Sequence, residues 1–225
     1  DIPLKFTADI HEATYTRVAG NGFEENDEVG VFALVGSSTM KEERYADNLR
    51  FFRTSEKVFE SSEPIYYPDD EVTLRLISYY PYQEEGVNMG ESTMSVAVET
   101  DQNLSAGYFC SDFLVASQNL QSAPKGAIAL HYDHKFFKLK IALVGKEGEE
   151  LQGILDADPK LSVCGFYTKA IYDFQKETYS AFSNEKSITP AGKWEIQRSV
   201  ERKRSNPYSA GNHFGLSIYR IGCWR

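Results

Sequence analysis

The sequence predicts an all-β protein built from antiparallel β-sandwiches, and three features of the 225-residue chain indicate this class. Apolar and polar residues alternate in several short segments, and in a strand this period of two places every second side chain on one face. Gly, Pro, Asp and Asn turn residues bound these segments. Helical patterns are few and short. Because an alternating strand buries only one face, two sheets must pack together.

The predicted elements follow one another along the whole chain. Residues 29–35 form a compact, β-branched run that is typical of a central, fully buried strand. Residues 161–164 predict a shorter strand, and apolar spacing predicts short helices within residues 41–58 and 149–156. The alternating apolar residues of the other strands are Ile2, Leu4, Phe6, Ala8 and Ile10; Val72, Leu74 and Leu76; Met94, Val96 and Val98; Leu139, Ile141 and Leu143; and Ala170, Tyr172 and Phe174.

Composition excludes several classes of function. The chain is 41% hydrophobic and 25% charged, which is typical of a folded globular protein rather than a disordered one. Its formal charge of -9 would repel a phosphate backbone, so we expect no nucleic acid partner. The longest apolar run, residues 31–35, is far shorter than the ~20 residues that cross a bilayer. We therefore expect no membrane-spanning helix.

Domain organisation follows from a polar, proline-interrupted stretch at residues 117–126, which is the best candidate for a linker. It predicts an N-terminal β-sandwich over residues 1–122 and a C-terminal one over residues 123–225. The tail differs from the rest, since residues 193–225 carry seven basic side chains against Glu195 and Glu201. Within it, we expect Arg202-Lys203-Arg204 to be a solvated loop, with contact to a polyanion as the alternative.

Potential metal ligands cluster at His131, Asp133 and His134, but the sequence favours structural roles for them. Residues three apart in a strand point to opposite faces, so the two histidines are not expected to share an ion. His131 and Asp133 can share a face, but they are fewer ligands than zinc normally takes. We therefore predict no metal site.

No catalytic centre or cofactor site is predicted either. The sequence lacks a Gly-x-Ser-x-Gly elbow, a phosphate-binding loop and a His-Glu-x-x-His helix. The cysteines Cys110, Cys164 and Cys223 are odd in number and widely spaced, which fits neither a disulfide framework nor a metal site. We expect buried or incidental thiols, with Cys110 packed between phenylalanines, and we expect no enzyme.

Tyrosines beside prolines are the most distinctive local feature. They bracket the predicted strand at residues 72–77, and proline ends or edges a strand because it lacks an N–H donor. One interpretation is that their rings cap the end of a sandwich with hydroxyls in water. The alternative is a stacking platform that makes the protein a surface carbohydrate-binding module. These residues are Tyr66, Tyr67, Tyr79, Tyr80 and Tyr82.

Seven short motifs follow one another in a characteristic order along the chain: Thr16-Arg17-Val18, residues 23–32 (FEENDEVGVF), Tyr66-Tyr67-Pro68, residues 78–82 (SYYPY), Asp101-Gln102, residues 111–116 (SDFLVA) and residues 130–139. In this order and spacing they resemble the fimbrillin-like family, whose members are outer-membrane lipoproteins of type V pili. The resemblance runs from the first residue to about residue 190. Beyond about residue 194 the tail departs from the alternating pattern, for which a frameshift that leaves the C-terminal domain incomplete is one hypothesis.

The resemblance implies two transthyretin-like domains and a structural, adhesive role without catalysis. A surface protease would cut after the first strand, residues 2–10, and Arg17 is the nearest basic residue in the following loop. A strand from a neighbouring subunit would then fill the opened groove. Implied partners are other fimbrial subunits and a host protein or glycan. The implied location is the cell surface, with a lipid anchor to the outer membrane upstream of Asp1.

Overall fold

The computed structural model describes residues 3–11, 22–68, 72–103, 110–137, 139, 141–144, 151–192, 194–197 and 213–216. The all-β class is confirmed, because these residues form thirteen strands and one six-residue helix. Within the same ranges no helix has the length and apolar character needed to cross a membrane. The elements are β1 Phe6–Ile10, β2 Glu28–Val35, β3 Ala46–Arg53, β4 Phe59–Glu60, β5 Leu74–Tyr80, β6 Thr93–Ala97, β7 Leu114–Leu120, β8 Ile128–His134, β9 Ile141–Val144, α1 Leu151–Asp156, β10 Tyr167–Asp173, β11 Thr178–Glu185, β12 Trp194–Gln197 and β13 His213–Leu216.

Seven strands close into a barrel in the order β1-β4-β3-β2-β5-β7-β8. All neighbours are antiparallel except β1 and β8, which run parallel. The sequence predicted two sheets packed as a sandwich, whereas here β1 bonds to both β4 and β8 and closes one sheet into a barrel. The other described sheets are three-stranded, with the orders β11-β10-β6 and β12-β13-β9.

The chain divides into two compact units that interleave along the sequence. The first comprises Asp1–Val96, Asp112–Lys135 and Ala170–Phe182, and it contains the barrel. The second comprises Ala97–Ser111, Phe136–Lys169 and Ser183–Arg225. The boundary predicted between residues 122 and 123 falls in the connection between β7 and β8, and residues 117–120 of the predicted linker continue β7. The layout of two sandwich domains stays a prediction.

The core of the barrel is formed by the inward-facing apolar side chains of its alternating strands and by the nearly continuous apolar run of β2. Val29, Val31 and Ala33 of β2 are buried in the core cluster together with Phe51 of β3 and Leu74 of β5. The opposite face of β2 is buried as well, so the prediction of a fully buried central strand is confirmed. A side chain larger than glycine is disfavoured at Gly30, because its Cβ would overlap the ring of Tyr79.

The helix predicted within residues 41–58 is wrong, because β3 occupies the middle of this segment and pairs with β2. Arg44 fixes the loop before β3. Its guanidinium is fully buried and donates hydrogen bonds to four backbone carbonyls and to the carboxylate of Asp47. These tertiary bonds and the buried Ala46 and Phe51 override the weak helical spacing. The four carbonyls belong to Met40, Val87, Asn88 and Glu91, at 2.7–2.9 Å.

Three other local predictions have mixed outcomes. The helix predicted within residues 149–156 is present as α1. Residues 161–164 contribute only an isolated bridge between Val163 and Ile188. Two described segments of the tail are strands, since β12 pairs with β13 from Trp194↔Leu216 to Gln197↔His213, and β13 pairs with β9. The frameshift itself stays a hypothesis.

Candidate functional site

The candidate site is the first strand and the groove that holds it. β1 pairs with β8 over five residues, from Phe6↔Ile128 to Ile10↔Tyr132. The N–H of Ile128 donates to the carbonyl of Lys5 and the N–H of His11 donates to the carbonyl of Tyr132, both at 2.8 Å. On the other side β1 meets β4 through the single pair Phe6↔Phe59. The backbone of β1 is therefore held mainly along one edge.

Side chains of β1 alternate between the core and solvent. Leu4, just before the strand, and Phe6 are 4% and 1% exposed, and Ala8 and Ile10 pack partly buried against the same core. The Phe6 ring stacks on Phe59 with centroids 5.1 Å apart and lies 4.9 Å from Phe51. β1 thus packs alternate side chains into the core, as the alternation predicted, and Ile2 of the predicted strand lies outside the described residues.

Tyr132 of β8 supplies a polar contact inside this core. Its side chain is fully buried and its hydroxyl lies 2.6 Å from the hydroxyl of Ser78. Burial raises the pKa of Tyr132, since the phenolate would lose its hydration. The Ser78 hydroxyl in turn donates to the carbonyl of Gly30 at 3.1 Å. This hydrogen-bonded chain ties β8, which carries β1, to β5 and β2.

On the outer face, β1 and β8 bring together two aspartates and two histidines. The Nδ1 of His131 lies 2.6 Å from Oδ1 of Asp9, and the Nδ1 of His11 lies 2.9 Å from Oδ1 of Asp133. The two imidazole rings stack with centroids 5.4 Å apart and planes within 10°. Asp9 and His11 were not singled out in the sequence, because 122 residues separate each from its partner.

The second histidine of the predicted cluster, His134, lies apart from this group. The Nδ1 of His134 is 2.9 Å from Oδ1 of Asp112, a carboxylate that is almost fully buried. His131 and Asp133 are both exposed on β8, with the buried Tyr132 between them. The structure therefore separates His131 from His134, as the strand period predicted.

Comparison with known proteins identifies the family. A model of the fimbrillin-like family matches residues 16–210. This chain belongs to the fimbrillin-like family. No curated protein matches it. The resemblance seen in the sequence motifs is therefore confirmed.

Solved structures share the fold of this fimbrillin-like chain. A candidate cell adhesion protein of Bacteroides ovatus is similar with a TM-score of 0.60 and 14% identity, over 97% of this chain and 78% of that one. One of Bacteroides uniformis has a TM-score of 0.57 and 18% identity, over 88% and 69%. A fimbrial protein of Bacteroides vulgatus has a TM-score of 0.54 and 16% identity, over 96% and 76%. At these identities the likeness concerns the fold.

The five tyrosines singled out in this fimbrillin-like chain differ in exposure, and Tyr79 lies too deep to contribute to the stacking platform that was the alternative interpretation. Tyr79 is fully buried, stacks on Phe32, and donates its hydroxyl to Asn48 at 2.7 Å rather than to water. Tyr67 and Tyr80 pack partly buried against the barrel core. Tyr66 is 39% exposed, and Tyr82 is partly exposed. Both interpretations of these residues are therefore wrong for Tyr79, whose ring is part of the packing.

Two other predicted features have different outcomes. Arg17, the predicted processing residue, lies outside the described residues. Cys110 and Cys164 are exposed and free, so of the two alternatives, buried or incidental thiols, burial is wrong for both. Cys223 lies outside the described residues. The prediction that Cys110 packs between phenylalanines is wrong, because Cys110 is exposed, whereas Phe113 is buried.

Proposed function

We propose that this fimbrillin-like chain is a structural, adhesive subunit of a cell-surface fimbrium that assembles by protease-triggered strand exchange. Family membership supports the fimbrial and non-enzymatic role. The observation that carries the mechanism is β1, a short strand at the start of the described chain that closes a barrel and fills its core groove with alternate side chains.

Cleavage at Arg17 would leave β1 without a covalent link to β2. Only the hydrogen bonds to β8 and β4 and the burial of Leu4, Phe6 and their partly buried neighbours would then hold it. Full burial of a Leu or Phe side chain is worth about 1.5–3 kcal/mol, so these two residues retain β1 by about 3–6 kcal/mol. A competing strand with similar side chains can match that amount.

Release of β1 would expose the edges of β4 and β8 together with the rings of Phe51 and Phe59. Unpaired strand edges and an apolar groove together favour the addition of an extended segment. A neighbouring subunit would supply that segment, with apolar side chains at every second position. Each exchange would link two subunits, so a series of exchanges would build a polymer.

The remaining features of the proposal come from the family resemblance. The subunit would comprise two transthyretin-like domains, residues 1–122 and 123–225, and would reach the outer membrane through a lipid-bearing cysteine upstream of Asp1. Its partners would be other fimbrial subunits and a host protein or glycan. The family implies a location on a cell-surface appendage.

An Arg-specific protease applied to the native chain tests the proposal, with Arg17→Lys as the matched control that keeps the charge but removes the cleavage site. Mass spectrometry should show cleavage after Arg17, and size-exclusion chromatography should then show oligomers that the control does not form. Cleavage at other arginines with Arg17 intact would count against the processing site. A chain cut at Arg17 that remained a folded monomer would count against strand exchange.

A further inference from the structure

Three side chains with metal-binding atoms meet on the outer face where β1 pairs with β8. They are Asp9, His11 and His131, and their potential ligand atoms all lie within 4.8 Å of one another. The parallel register explains the arrangement, because Asp9 lies directly opposite His131, and His11 is two residues beyond Asp9 on the same side of the chain. All three side chains are exposed, so an ion can reach them from solvent.

We propose that Asp9, His11 and His131 bind a divalent transition-metal ion of the Zn²⁺ class, and that this ion clamps β1 to β8. Imidazole and carboxylate groups together suit Zn²⁺ and its neighbours in the first transition row, whereas Mg²⁺ and Ca²⁺ prefer oxygen ligands alone. Three protein ligands leave one position of a tetrahedral ion for water. Zn²⁺ therefore represents the class in the tests below.

The geometry needs only a small adjustment. Bonds of about 2.0–2.2 Å place neighbouring ligand atoms of a tetrahedral zinc ion roughly 3.4 Å apart. The present separations of up to 4.8 Å can close by rotation of exposed side chains, with no movement of the strands. The Nδ1 of His11 is paired with Asp133, which leaves its Nε2 available to a metal. The Nδ1 of His131 and Oδ1 of Asp9, now 2.6 Å apart, would give up their mutual contact and move apart to admit the ion.

Asp133 gives the site a supporting partner. Its carboxylate accepts a hydrogen bond from Nδ1 of His11 at 2.9 Å, and such a partner fixes the tautomer and orientation of a metal-binding histidine. Ion pairing does not by itself explain why these histidines and aspartates lie together, since exposed ion pairs add little to stability. A metal site accounts for two stacked imidazoles flanked by two carboxylates on one exposed face.

The ion would hold β1 against β8 because its ligands come from both strands. Asp9 and His11 belong to β1 or directly follow it, whereas His131 belongs to β8. An ion held by both would bind the paired arrangement and not the separated strands, so it would stabilise the pairing by mass action. Its effect on assembly rests on the proposed function, because β1 is the strand that would be released.

Isothermal titration of the full chain with Zn²⁺ tests the site. We expect one Zn²⁺ per chain, and we expect Asp133→Asn to weaken binding roughly 10–100-fold. His11→Ala and His131→Ala should weaken it further, since each removes a ligand. His134→Ala is the matched control, because it removes a histidine that pairs with an aspartate on another face. Absence of saturable binding, or equal affinity in all variants, would overturn the site.

Hydrogen–deuterium exchange on the uncut chain tests the clamp. Zn²⁺ should slow exchange of the β1 amides in the wild type and in His134→Ala, but not in His11→Ala or His131→Ala. Bound Zn²⁺ without slower exchange would overturn the clamp. On chain already cut after Arg17 and freed of protease, Zn²⁺ should delay loss of the N-terminal peptide. If Zn²⁺ binds and slows exchange but the peptide never leaves in either condition, the metal clamp stands and the proposed strand exchange fails.

Discussion

Replacement of Phe6 by alanine should weaken the barrel more than any other single change in β1. Phe6 is 1% exposed, stacks on Phe59 at 5.1 Å with planes 9° apart, and contacts the ring of Phe51. A buried Phe→Ala change costs about 3–5 kcal/mol through lost transfer free energy and the cavity left behind. Because β1 meets β4 at one residue pair only, the site can partly relax, and we expect about 3 kcal/mol.

This loss corresponds to a rise of roughly 10²-fold in the equilibrium constant for unfolding. Urea titration followed by circular dichroism measures it. Thr7→Ala is the matched control, because Thr7 is the exposed neighbour of Phe6 on the same strand and its replacement should change stability by less than about 0.5 kcal/mol. A loss below about 1 kcal/mol for Phe6→Ala, or an equal loss for Thr7→Ala, would refute the placement of β1 in the core.

A double-mutant cycle isolates the ring contact itself. Phe6→Ala and Phe59→Ala should show a coupling free energy of about 0.5–1.5 kcal/mol, the usual contribution of a stacked aromatic pair beyond area burial. Strictly additive losses would show that the two rings do not touch. That result would leave the backbone pair Phe6↔Phe59 as the contact of β1 with β4.

Three further predictions concern the rest of the barrel. Arg44→Lys should lower the free energy of unfolding in urea by at least about 2 kcal/mol. Lysine cannot satisfy four carbonyls, and each carbonyl left unpaired costs about 1–3 kcal/mol. Unchanged stability would contradict the buried hydrogen bonds of Arg44. Gly30→Ala should cost about 1–3 kcal/mol because the new methyl meets the Tyr79 ring, and unchanged stability would show that the ring lies elsewhere. Burial raises the pKa of Tyr79 to about 12, so the unfolded chain ionises first and stability should fall from about pH 10 upward, by up to about 1.4 kcal/mol per pH unit for this tyrosine. Tyr79→Phe should show a shallower decline in alkaline unfolding curves, and an unchanged slope would place Tyr79 in water.

Local patterns were sufficient for the elements that follow a simple period. The alternation of residues 2–10 predicted β1, which buries one face only. The continuous apolar run of residues 29–35 predicted β2, which is buried on both faces. The segment containing β3 was misread as a helix, since its strand conformation depends on pairing with β2 and on the buried Arg44. Tertiary contacts of that kind leave no periodic signal.

The cluster of histidines and aspartates on the outer face of β1 and β8 could not be predicted from the sequence, for a different reason. His131 and Asp133 stood out as neighbours with a shared face, but two ligands were too few to indicate a metal. Asp9 and His11 complete the group only through the parallel register of β1 and β8. No spacing rule predicts contacts between residues 122 positions apart, so the cluster required the structure.

The central claim is that the groove of β1 accepts an added strand, and binding of a peptide tests it most directly. Chain cut after Arg17 and freed of its N-terminal fragment is titrated with a fluorescent peptide of residues 3–11, and anisotropy is measured. We predict saturable binding of one peptide per chain, and strong loss of binding with a Phe6→Asp peptide, because a charge would enter the apolar groove. Equal binding of both peptides, or no binding to a chain that remains folded, would contradict the proposed strand exchange.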